Sequence, residues 1–92
     1  MARVEMTSHL FNFFPLLRGT VIELPGGSVA ELLEAMDKLA PGFTSYILND
    51  RGALRPHVNI CINNELIIDR KNLRDRVPDD ATLYIFQALT GG

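Results

Sequence analysis

Ser28-Val29-Ala30-Glu31-Leu32-Leu33-Glu34-Ala35-Met36-Asp37-Lys38-Leu39-Ala40 reads as one amphipathic helix, and the rest of the chain has to be arranged around it. Ser28 is a natural N-cap, and Glu31 three residues on completes a capping box. Val29, Leu32, Leu33, Met36 and Leu39 recur at helical spacing and make one apolar stripe. Glu34 and Lys38 form an i,i+4 pair on the wet side, worth about a few tenths of a kcal/mol. Pro41-Gly42 stops the helix. A helix that is apolar on one side only must bury that side against another layer.

The flanking segments supply that layer. Upstream, Arg3-Val4-Glu5-Met6-Thr7 alternates polar and apolar as a half-buried strand does, and Thr20-Val21-Ile22-Glu23-Leu24 reads as a second strand. Between them the apolar character thickens through Leu10, Phe11, Phe13 and Phe14 until Pro15 breaks it, and Gly19 marks a turn, so the pair is a hairpin with a longer loop. Pro25-Gly26-Gly27 ends it. Downstream, Phe43 to Pro56 is loop with one short helical turn around Tyr46. Val58-Asn59-Ile60-Cys61-Ile62 alternates, Asn63-Asn64 suits the positive φ of a tight turn, and Glu65-Leu66-Ile67 returns. Lys71 to Val77 holds another short turn anchored by Leu73 and Val77, and Thr82 to Ala88 is the last strand. The expected order is strand, strand, helix, strand, short strand, strand. With one helix to cover one face of a small α+β sheet, the opposite face is solvated or used.

Composition narrows the classes of function. Ninety-two residues make one domain, too small to enclose a sizeable cofactor beside its own core. Nine Lys and Arg against eleven Asp and Glu give a formal charge of -2, which offers nucleic acid no basic face. The single Cys61 has no internal disulfide partner, pointing to a reducing compartment. No signal-peptide pattern and no membrane-length apolar run stand out, so the expectation is a cytoplasmic protein without nucleic-acid or membrane partners.

The last strand runs into Thr90-Gly91-Gly92. At an average Gly usage of ~7%, a Gly-Gly ending has a random expectation of about half a per cent. Two residues without side chains can be threaded in extended form through a narrow slot, terminal carboxylate first. The bland reading is a floppy end.

The helix Ser28-Val29-Ala30-Glu31-Leu32-Leu33, the hairpin Val58-Asn59-Ile60-Cys61-Ile62-Asn63-Asn64-Glu65 and the ending Pro78 to Gly92 together resemble the β-grasp sulfur carriers of the ThiS/MoaD family, relatives of ubiquitin. The likeness covers nearly the whole chain, and the Gly-Gly end is its specific motif. It implies a ubiquitin-like β-grasp fold, a mixed sheet of four to five strands packed on one main helix. Residues 1–88 would form the domain and 89–92 a flexible Gly-Gly tail. It also implies a dimeric ubiquitin-activating-type enzyme that adenylates the Gly92 carboxylate with Mg-ATP. A sulfur donor then displaces AMP to leave a thiocarboxylate, and a sulfur-accepting synthase uses it. The chain would be a co-substrate and not an enzyme, with no bound cofactor, monomeric when free.

Carried onto this sequence, Gly92 and Gly91 enter the activating channel, and Leu89 to Gly92, fully extended, span about 13–14 Å. Phe86 matches a partner-contact position, with Tyr84, Ala88, Leu89 and Thr90 beside it. Where molybdopterin-synthase subunits carry Pro-Pro, this chain has Gln87-Ala88. The middle segment Leu54-Arg55-Pro56-His57 is closer to carriers feeding cysteine biosynthesis, so amino-acid sulfur assimilation is the favoured pathway, ahead of molybdopterin or thiamine.

Alternation in the last strand puts Leu83, Ile85 and Gln87 on one face and Tyr84, Phe86 and Ala88 on the other. Phe86 is then either an incidental surface aromatic or an anchor for partners. Cys61 reads as a small sheet residue, with a persulfide relay as its functional alternative. His9 and His57 lack ligand spacing for a metal. Asp79 and Asp80 read as solvated loop acids, and Gly26-Gly27 as a turn and not a phosphate loop, since no Lys-Ser/Thr follows. Besides the carrier, two classes stay open. One is a modifier joined to lysines through Gly92, and the other is a binding module whose tail is inert.

Overall fold

The computed structural model describes residues 1–87. Ala88 and the expected tail 89–92 lie outside the described residues. In chain order the elements are β1 (Ala2–Met6), α1 (Ser8–Phe13), a 3-10 turn (Pro15–Leu17), β2 (Ile22–Leu24), β3 (Gly27–Ser28), α2 (Val29–Leu39), α3 (Phe43–Ile47), β4 (Val58–Ile62), β5 (Glu65–Leu66), β6 (Arg76–Val77) and β7 (Thr82–Gln87).

Five strands form one sheet in the order β2-β1-β7-β4-β5, and β3 pairs with β6 in a separate two-stranded ribbon. The sheet is mixed, because β1 and β7 run parallel while the other neighbours are antiparallel. The period-2 pattern of β1 and β7 turns Ala2, Val4, Met6, Leu83 and Ile85 inward, where they join Val58 and Ile60 of β4. Val29, Leu32, Leu33 and Met36 of α2 close the same core from the other side. This is the expected α+β arrangement of a sheet with one main helix.

The N-terminus of α2 is held more completely than the capping box alone requires. Glu31 N–H donates to Ser28 Oγ at 3.1 Å, and Ser28 N–H donates to Glu31 Oε1 at 2.9 Å. The next two orphan donors are met from a distant loop: Val29 N–H donates to the Asp75 carbonyl and Ala30 N–H to the Leu73 carbonyl, both at 3.0 Å. The segment leading into β6, anchored by the buried Leu73 and by Val77 of β6 itself, therefore also serves as the helix's N-terminal seat.

Five local expectations change. The apolar run after β1 is helix α1 followed by a 3-10 turn, because helical spacing puts Leu10 and Phe14 on one side, and Leu17 completes a buried patch. Phe14 packs edge-on against Phe43 of α3, with ring centroids 5.2 Å apart. Leu39 leaves the apolar stripe: it is exposed, and Ala40 is buried instead because the backbone abandons helical angles there. Glu34 and Lys38 both lie on the wet side, but the ion pairs among the described residues are Arg3–Glu5 and Arg74–Asp69. Gly27 is a strand residue opposite Val77, not a turn. Asp79 is not a free loop acid, since its Oδ1 accepts the Gly26 N–H at 2.7 Å and ties the loop before β7 to the start of the ribbon.

Candidate partner-docking face

The face of the sheet turned away from α2 is built by register. On β7, Leu83 and Ile85 point into the core, so Thr82, Tyr84 and Phe86 point out. Tyr84 stands between Glu5 of β1 and Cys61 of β4, and Cys61 in turn faces Leu66 of β5. Phe86 stands beside Asn59 of β4, and Thr82 beside Arg3 of β1, whose other neighbour is Glu23 of β2. The Tyr84 and Phe86 rings stack with centroids 5.3 Å apart and planes 22° from parallel. Such aromatic pairs are held by more than their buried area.

The result is an aromatic ridge on the strand between β1 and β4, with Cys61 half-buried beside Tyr84. On one flank Leu66 is 62% exposed, and Ile68, just past β5, is 90% exposed. The other flank is charged. Arg3 and Glu5 approach to 3.9 Å, both open to water, so their attraction is weak. An apolar strip with a charged border on a small domain makes this face the candidate docking surface, because isolated exposed aromatics are ordinary but contiguous ones are not.

Of the residues expected at the site, Tyr84 and Phe86 lie together on this face as alternation predicts. Ala88, Leu89, Thr90, Gly91 and Gly92 lie outside the described residues. Leu66 and Ile68 were not anticipated. Their exposure depends on β5 being two residues long and at the sheet edge, which no local pattern announces. His9 lies on α1 with its ring against Phe13, and His57 is the residue immediately before β4. Among the described residues no three His, Cys, Asp or Glu side chains gather as a metal ion needs.

The carboxyls held below their ordinary range sit in caps and turns. Glu31 is lowered by the backbone N–H and then the hydroxyl of Ser28. Asp37 is lowered by the backbone N–H and then the hydroxyl of Thr44, and Asp69 mainly by the backbone N–H of Asn72. The ridge thus offers shape and apolar surface, and none of these three carboxyls lies on it.

No protein-family model matches the chain, and no curated protein matches it by sequence. Solved structures do match in three dimensions. A chain of the BexX/CysO complex of Amycolatopsis orientalis is similar with a TM-score of 0.82 and 22% identity, each chain covered over 100% of its length. SAMP1 from Haloferax volcanii is similar with a TM-score of 0.72 and 21% identity, covering 99% of this chain and 98% of that one. Urm1 of Sulfolobus solfataricus is similar with a TM-score of 0.66 and 20% identity, covering 94% and 99%. Sequence identity this low speaks for architecture alone, and the architecture is the ubiquitin-like β-grasp expected from the sequence.

Proposed function

We propose that this chain is a sulfur carrier whose Gly92 carboxylate is activated by a partner enzyme. The observation that carries the proposal is one of placement: the strand bearing the stacked Tyr84–Phe86 ridge is the strand that leads, a few residues on, to Gly91-Gly92. A partner that grips the ridge has the carboxylate within the reach of a short extended segment. In the first step a Gly92 carboxylate oxygen attacks the α-phosphorus of Mg-ATP held by that partner, and pyrophosphate leaves. In the second, a sulfur nucleophile attacks the acyl carbon of the mixed anhydride and AMP leaves with the bonding pair, so Gly92 ends as a thiocarboxylate. The chain contributes the carboxylate and the docking face, and the partner contributes the catalytic groups.

The full-length likeness to a chain of the BexX/CysO complex supports a role in which this β-grasp chain works bound to a second protein. The segment Leu54 to His57, with Gln87-Ala88 in place of Pro-Pro, keeps amino-acid sulfur assimilation the favoured pathway ahead of molybdopterin or thiamine synthesis. The test is an intact-mass measurement after incubation with the host's ubiquitin-activating-type enzyme, Mg-ATP and sulfide. The expected product is heavier by the difference between sulfur and oxygen, mapped to Gly92, and is absent when Gly92 is deleted. An unchanged mass under those conditions overturns the carrier reading.

The likeness to H. volcanii small archaeal modifier protein 1 favours one alternative, a modifier joined to lysines through Gly92. Isopeptide-linked adducts in the native host, persisting when sulfur transfer is blocked, would establish it. A binding module with an inert tail predicts full biological activity without Gly91 and Gly92.

A further inference from the structure

A groove of about 300 Å³ follows the outer edge of β2, walled by Leu16, Val21, Leu24 and Leu39. Three of these are large apolar side chains left in water: Leu16 is 74% exposed, Val21 67% and Leu39 51%. Val21 and Glu23 come from the open side of the sheet, Ile22 and Leu24 from the helix side. The groove therefore runs along the edge and belongs to neither face. β2 is also the terminal strand, and its outward backbone groups take no hydrogen bond from elsewhere in the described chain.

We propose that this edge docks an extended segment of a partner protein as a sixth strand, with apolar residues at alternate positions against the groove and a basic residue opposite Glu23. Unpaired strand N–H and C=O groups ask for a backbone, and Leu24 and Leu39, on the helix side of the edge, ask for every second residue of it to be apolar. The charge follows from Arg3. It is the cross-strand register neighbour of Glu23 but approaches Glu5 at 3.9 Å, and among the described residues Glu23 makes no ion pair, so Glu23 has room for a cation from the partner.

A second copy of this chain fits less well. A symmetric antiparallel β2–β2 pairing centred on Glu23 sets two carboxylates directly opposite, which is repulsive. Centred on Ile22, it sets Val21 against Glu23 and satisfies neither. Pro25, with no N–H, ends any pairing after Leu24, so the docked stretch is short and its affinity modest. None of this involves the Tyr84–Phe86 ridge or the state of Gly92, so the edge and the carrier reading stand or fall separately.

The experiment is a titration of the 15N-labelled full chain with the capped peptide Val-Lys-Ile-Lys-Val-Lys, followed by amide shifts. Saturable shifts at Val21 to Leu24 and at Leu39, with Kd of about 1 mM or tighter, are expected. L39K and E23K, both at exposed positions, should each weaken binding at least about fivefold with the melting temperature unchanged. The same peptide with Pro for its Ile should not bind. No saturable shift at the edge, shifts centred on Tyr84 and Phe86, undiminished binding of the Pro peptide, or concentration-dependent self-association lost in L39K would each overturn the proposal.

Discussion

At Gly26 a side chain has nowhere to go. An added Cβ would stand 2.6 Å from the Val77 carbonyl oxygen and 2.9 Å from both the Asp79 amide nitrogen and its Oδ1. Two of those three atoms are backbone, so the ribbon must shift to admit it. Gly26→Ala is expected to cost about 1–3 kcal/mol, or roughly 4–8 °C of melting temperature per kcal/mol, in a calorimetric or circular-dichroism melt. Thr7 is the opposite case. Its Oγ1 is buried with no hydrogen-bond partner where β1 gives way to α1. An unpaired buried hydroxyl is a cost without return, so Thr7→Val should be neutral or raise stability by up to about 1 kcal/mol. A loss above that range would mean the hydroxyl is bonded in solution.

At the scale of elements, the caps couple stability to pH. Glu31 closes the N-terminus of α2. Asp37, on the same helix, receives the backbone N–H and hydroxyl of Thr44 in α3, both at 3.0 Å, and so joins the two helices. Asp69 receives Asn72 N–H at 2.9 Å in the turn before β6. All three carboxyls are held below their ordinary values of 4.5 for Glu and 3.8 for Asp. A depressed folded-state value means the stabilisation is present above the ordinary value and is lost as pH falls through the lower folded one. The urea midpoint should therefore drop as pH falls below about 4.5 towards about 3. In Asp37→Asn the midpoint should be lower at neutral pH and fall less on acidification. A slope identical to the parent's would remove Asp37 from that account.

For the molecule as a whole, the prediction concerns the open face. Replacing Tyr84 and Phe86 together by Ala removes the ridge while leaving Leu83 and Ile85 in the core. On the proposed function, binding to the activating enzyme should weaken by about 2 kcal/mol or more, near thirtyfold in Kd, measured by titration calorimetry. The melting temperature should move little by comparison. Full retention of binding would shift the docking site elsewhere and leave the ridge without a role.

Much of this was legible in the residues because it is local. Ser28 and Glu31 announce the start of α2, the alternation of β7 separates Leu83 and Ile85 from Tyr84 and Phe86, and Asn63-Asn64 take up the positive φ their type tolerates. Helix capping, side-chain period and turn chemistry act within a few residues, so a linear reading reaches them. What it missed depends on partners distant in sequence: α1 forms where Phe13 and Phe14 find Phe43 and Tyr46 and Leu10 joins the core. Gly27 becomes a strand residue because Val77 arrives opposite it, and Asp79 is bound because Gly26 is there to bind it. The parallel pairing of β1 with β7, which puts Glu5 beside Tyr84, joins residues from opposite ends of the chain. The sequence by itself determined one capped helix, alternating strands and a free sheet face. Only the tertiary structure decided which strands are neighbours, and with them the composition of that face and the open edge at β2, because register is settled by the packing of the whole core and not by any segment of it.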